Sequence, residues 1–125
     1  MWKVTKNDSE DLAFALACLF SQAISLNEFK IWIVKVIEQL SYEETPLYLF
    51  KLLDFNESLF NIYNVVGFTP DEELKLIEQY ALYGIAYLRD INVYNAPCSR
   101  ASAIYALSNY TEIKEKFTKF FDIKI

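Results

Sequence analysis

The chain opens its first strong pattern with an unbroken apolar run, Leu12–Phe20, and then settles into stretches where apolar residues recur every third or fourth position. That period is helical. The first helix is predicted over Ser9–Ala23, with Asp8 as its N-cap. Leu12, Ala15, Leu16, Leu19, Phe20 and Ala23 form one face, and Ala13, Phe14, Ala17 and Cys18 line the other. A helix apolar on nearly every side belongs at the centre of a domain.

The next helix starts with Ser25-Leu26-Asn27-Glu28, a capping box in which serine and glutamate satisfy each other's backbone N–H groups. Phe29, Trp32, Ile33, Val36, Ile37 and Leu40 make its buried stripe. Lys30, Lys35, Glu38 and Gln39 fall on a wet side. A shorter helix is predicted from Pro46, suited to a first helical position, to near Asp54. The stretch 58–66 fits either a helix or, through Tyr63, Val65 and Val66, a strand, with Gly67 as the stop. Thr69-Pro70-Asp71-Glu72 has the form of a capped helix start, and that helix is predicted to run to Asp90. Gly84 in its interior costs about 1 kcal/mol relative to alanine, so it marks a close approach of another helix. Asn92–Pro97 reads as a loop. Helices over 98–108 and Glu112–Phe121 complete an all-α fold: a single compact bundle of about six or seven helices over residues 1–125.

Composition supports this. Only 2 glycines and 3 prolines occur in 125 residues, too few for the tight turns of a many-stranded fold. The 54% apolar content, with 21 aromatic residues among 10 Phe, 9 Tyr and 2 Trp, supplies a core. The formal charge of −5 argues against direct nucleic-acid binding and against an anionic membrane surface. It suits a basic protein partner. The apolar run is far short of the ~20 residues that span a bilayer. With no signal core at the N-terminus and two cysteines that form no disulfide framework, the expected location is cytoplasmic and reducing.

No histidine is present. Serine–histidine and cysteine–histidine nucleophiles and Glu-x-x-His di-metal sites are thereby excluded, and two glycines make no phosphate loop. No cofactor or metal is expected, and the chain reads as a binding protein, not an enzyme. An enzyme would have to run on carboxylates or on Cys98. That thiol follows Pro97 at a predicted helix start near Arg100, a setting that lowers a thiol pKa, although a half-buried structural cysteine fits equally. Arg89 and Arg100 have the planar fork to hold a carboxylate or a group of carbonyls, or to meet a partner. Asp71, Glu72 and Glu73 suit either a bound cation or the dipole of the helix they begin.

Charge placement is uneven. Between Glu38 and Glu78 there are nine acids against Lys51 and Lys75, a net of −7, which leaves +2 for the rest. We read this stretch as an acidic face for a basic protein. Glu43, Glu44, Glu57, Asp71, Glu72 and Glu73 are its charges, and Tyr42 and Tyr48 its aromatic anchors.

The acidic helical body, together with Glu28-Phe29-Lys30-Ile31-Trp32, the break Val66-Gly67-Phe68-Thr69-Pro70 and the run Gly84-Ile85-Ala86-Tyr87-Leu88-Arg89, resembles the immunity proteins of bacterial contact-dependent growth inhibition and related polymorphic toxin systems. The resemblance implies a cytoplasmic inhibitor that binds the C-terminal toxin domain of an exported partner. Such toxins are often nucleases with basic clefts, which an acidic protein can occlude. A helical adaptor or structural subunit of a larger assembly, such as a homodimer, is the alternative.

Overall fold

A computed structural model describes residues 1–70 and 74–125. Its described residues form an all-α fold of seven helices: α1 Glu10–Phe20, α2 Leu26–Gln39, α3 Leu47–Leu53, α4 Ile62–Val66, α5 Leu76–Leu88, α6 Arg100–Asn109 and α7 Thr111–Phe121. Single 3-10 turns at Tyr42–Glu44 and Leu59–Asn61 lead into α3 and α4. Among the described residues the only bridge of β type joins Thr5 and Asp8.

Helix α1 is central, as its all-round apolar sequence requires: every residue from Leu12 to Leu19 is buried. The helix begins at Glu10, one residue later than predicted. Asp8 is drawn away from capping by its backbone pairing with Thr5, and Ser9 takes the N-cap position. Helix α2 starts at the predicted capping box. Ser25 Oγ accepts from the Glu28 N–H at 3.1 Å, and the Glu28 carboxylate accepts from the Ser25 N–H at 2.9 Å. Its buried stripe of Phe29, Trp32, Ile33 and Val36 packs in the core. Trp32 stacks on Phe120 of α7 at 6.0 Å, and Trp2 stands perpendicular to both rings.

The ambiguous stretch resolves as helix α4. Gly67 ends it in the left-handed conformation at φ 86°. Helix α5 does not begin at Pro70. Residues 71–73 of the predicted start lie outside the described residues, and the helix begins at Leu76. Glu78 caps that start: its carboxylate accepts from the N–H of Lys75 at 3.0 Å. Pro70 is buried outside any helix.

Helices α1 and α5 both stop short of their predicted ends, and by the same device. The N–H of Ala23 reaches Cys18 O, and that of Ile91 reaches Ala86 O, each at 3.0 Å. These are Schellman closures. The left-handed residues within them are Gln22 (φ 67°) and Asp90 (φ 58°), not glycines. Gln22 offsets its backbone strain through its side chain. The amide donates to Tyr94 O at 2.6 Å and accepts from Tyr94 N–H at 2.8 Å, tying the 91–97 loop to the end of α1.

Helices α5 and α6 lie against each other at Gly84. A Cβ built there would meet Ala103 O at 2.5 Å and Leu107 Cβ at 3.0 Å. The close approach inferred from a mid-helix glycine is therefore present, and its neighbour is α6.

Candidate partner-binding surface

Helix α2 has no basic residue in its last turn, and the chain leaves it into the acidic turn 42–44. Local hydrogen bonds hold that turn. Ser41 Oγ donates to Glu44 Oε1 at 2.6 Å, Thr45 Oγ1 to Ser41 O at 2.8 Å, and the Glu44 N–H to Ser41 O at 3.0 Å. Pro46 then fixes the path into α3. Tyr42 stands 89% exposed on this turn, and Glu43 and Glu44 are exposed beside it. Helix α3 buries Tyr48, Leu49 and Leu52 and turns Leu47 and Phe50, one helical turn apart, toward solvent. The result is an exposed aromatic and two exposed acids on a hydrogen-bonded turn, followed by an outward apolar pair.

Tyr48 does not belong to this surface. Its ring is 8% exposed and packs edge-on against Phe68, while its hydroxyl donates to the Val4 carbonyl. Burial pushes the phenol well above its ordinary range. A tyrosine two residues past a proline carries no signal for which way it faces. The period around it decides: Tyr48, Leu49 and Leu52 share the inward face of α3.

Glu57 is exposed but follows the other end of α3, a helix of seven residues and so about 10 Å long. Glu43, Glu44 and Tyr42 therefore form one local group, and Glu57 stands apart from it along the chain. Asp71, Glu72 and Glu73 lie outside the described residues.

Cys98 differs from expectation. Helix α6 starts at Arg100 with Ser99 as its cap, where Ser99 Oγ accepts from the Ser102 N–H. Cys98 thus precedes the helix. Arg100 lies over the Tyr87 ring at 5.5 Å. Burial raises the Cys98 thiol above its ordinary pKa, the opposite of activation. Cys18 is fully buried and raised further. Arg89 is structural: its guanidinium donates to both Glu28 carboxylate oxygens, at 3.0 and 2.6 Å, and to Ala23 O at 2.6 Å. Glu28 is held below the usual carboxylate range, chiefly by this arginine. One carboxylate thereby caps α2 and ties it to the end of α5.

A pocket of about 150 Å³ opens between α1, α4 and α5. It is lined by Ala13, Ala17 and Phe20 of α1, Tyr63 of α4, and Gln79, Leu82 and Tyr83 of α5. Pro70, on the path out of α4, also lines it. Sequence reasoning missed this feature. Its only trace is the small residues Ala13 and Ala17, one turn apart on α1.

The chain matches no family model, no curated protein and no solved structure.

Proposed function

We propose that the protein is a toxin-neutralising immunity protein that binds a basic toxin domain through the acidic turn 42–44 and the outer face of α3. The observation that carries this is Tyr42. It is an almost fully exposed aromatic on a turn held by local hydrogen bonds and followed by two exposed carboxylates. Aromatic anchors that lose little freedom on docking supply the durable part of an interface. Carboxylates around them chiefly accelerate encounter with a basic surface. The uneven charge of the sequence, −7 over residues 38–78, extends the same attraction. The toxin would be inhibited by occlusion of its basic cleft.

The test is affinity capture from the producing cells with wild type and with the double variant Glu43→Lys, Glu44→Lys. Wild type should retain a basic domain in stoichiometric amount, and that domain should arrest growth unless this protein is co-expressed. The double variant should associate about tenfold more slowly at low salt, with a flattened salt dependence. Unchanged association would remove the acidic turn from the interface. A captured protein that does not harm cells would favour the adaptor alternative.

A further inference from the structure

We propose that Lys51 sets partner specificity on the outer face of α3 by meeting an acidic group within the partner's basic surface, an inference that rests on the partner-binding reading above. The burial pattern divides α3 into two sides. Tyr48, Leu49 and Leu52 face the core. Leu47, Phe50, Lys51 and, at the C-cap, Asp54 are exposed. Residues three, four and seven positions apart share one side of a helix, so these four form a single outward ridge. The turn that carries Tyr42, Glu43 and Glu44 leads directly into it. Along the chain the order is two carboxylates, the apolar pair Leu47 and Phe50, the ammonium of Lys51, and the carboxylate of Asp54.

Lys51 is the exception on this ridge. Only it and Lys75 oppose the nine acids between Glu38 and Glu78, and Lys75 stands at the N-cap of α5. Among the described residues Lys51 forms no ion pair, although Asp54 follows at the spacing where helical ion pairs form. The last turn of α3 accommodates a cation through the helix dipole. Its place beside Phe50 adds a consequence for binding. A wholly acidic ridge would attract any basic protein. Docking of Leu47 and Phe50 against a wholly basic strip presses Lys51 against like charge, and such juxtapositions reject wrong partners. A partner pairs every charge on the ridge when it presents basic groups toward the 42–44 turn and an acid opposite Lys51. A second copy of this chain is the poorer occupant, because it brings together two stretches of net charge −7.

The test is kinetic and uses the full chain against two probes: lysozyme as an unrelated basic protein, and the growth-arresting basic domain retained by wild type. Lys51→Glu should associate about threefold faster with lysozyme at low salt, yet dissociate at least tenfold faster from the retained domain. If Lys51 were only a stray surface charge, its reversal would tighten binding to both. Lys51→Met removes the charge and keeps most of the stem. It should fall between wild type and Lys51→Glu on both probes, and it decides the question if Lys51→Glu does not fold. A folded variant that holds the retained domain as tightly as wild type, or more tightly, overturns the proposal. So does a wild-type dimer that Lys51→Glu dissociates. The two readings fail separately. Wild type that retains no basic domain removes the partner reading and this proposal with it. Wild type that retains one, with Lys51→Glu holding it equally well, removes the role of Lys51 alone.

Discussion

Gly84→Ala sets two opposing effects against each other. In an isolated helix the change stabilises by about 1 kcal/mol, because glycine loses more backbone freedom than alanine. Here the new methyl would lie 2.5 Å from Ala103 O, 3.0 Å from Ala103 C and 3.0 Å from Leu107 Cβ. None of these atoms is the far end of a flexible side chain. Relief of the shortest contact requires α6 to retreat from α5, and Ala103, Ala106 and Leu107 are all buried along that seam. Overpacking of this kind costs about 1–3 kcal/mol. When the backbone itself must shift, the upper part of that range applies, which leaves a net loss of about 1–2 kcal/mol. For a domain of this size each kcal/mol lowers Tm by about 4 °C, so a fall of about 4–8 °C is expected. Urea unfolding should show a lower midpoint at an unchanged slope. Gly67→Ala is the control: nothing lies within 4 Å of its Cβ, and its cost comes from φ +86° alone. Gly67→Asn should recover part of that cost, since asparagine tolerates the left-handed region, whereas Gly84→Asn should be worse than Gly84→Ala. A Gly84→Ala protein as stable as wild type would refute the argument that contact with α6 outweighs helix propensity.

Arg89→Ala should lower stability by about 2 kcal/mol. That is less than for a fully buried pair, because Glu28 keeps 26% of its side-chain surface in water. Because Arg89 depresses the Glu28 pKa in the folded state, its contribution is present above the unfolded carboxylate value of about 4.3 and is lost as pH falls through the folded one. Urea titrations between pH 3 and 6 should therefore be steeper for wild type than for Glu28→Gln, and equal slopes would contradict the pairing. Tyr48→Phe removes the donor to the Val4 carbonyl. It should cost about 1–2 kcal/mol and speed amide exchange in the N-terminal segment while leaving partner capture intact; reduced capture would return Tyr48 to the interface. Cys98 should alkylate more slowly than a free thiol at pH 8, and Cys18 only on unfolding; a Cys98 that reacts faster than free cysteine would reopen thiol chemistry.

Signals confined to a few neighbouring residues were legible in the chain. The Ser25–Glu28 capping box, the Gly67 stop and the all-round apolar α1 act over one or two turns, and each stands in the structure where the sequence puts it. Gly84 announced a close contact but not its partner, because that depends on a helix some twenty residues further along. Other features were decided by tertiary packing. Gln22 and Asp90 end helices in conformations that local preference reserves for glycine, and for Gln22 the compensation comes from Tyr94, 72 residues away. The Cys98 thiol is governed by burial, not by a helix end, because the chain turns into α6 two residues later than its apolar pattern suggests. Tyr42 and Tyr48 have the same chemistry and lie six residues apart, yet one is exposed and the other is part of the core. The apolar period of α3 groups Tyr48 with Leu49 and Leu52, but only the seating of that helix on the rest of the bundle fixes this face, and not that of Leu47 and Phe50, as the inner one.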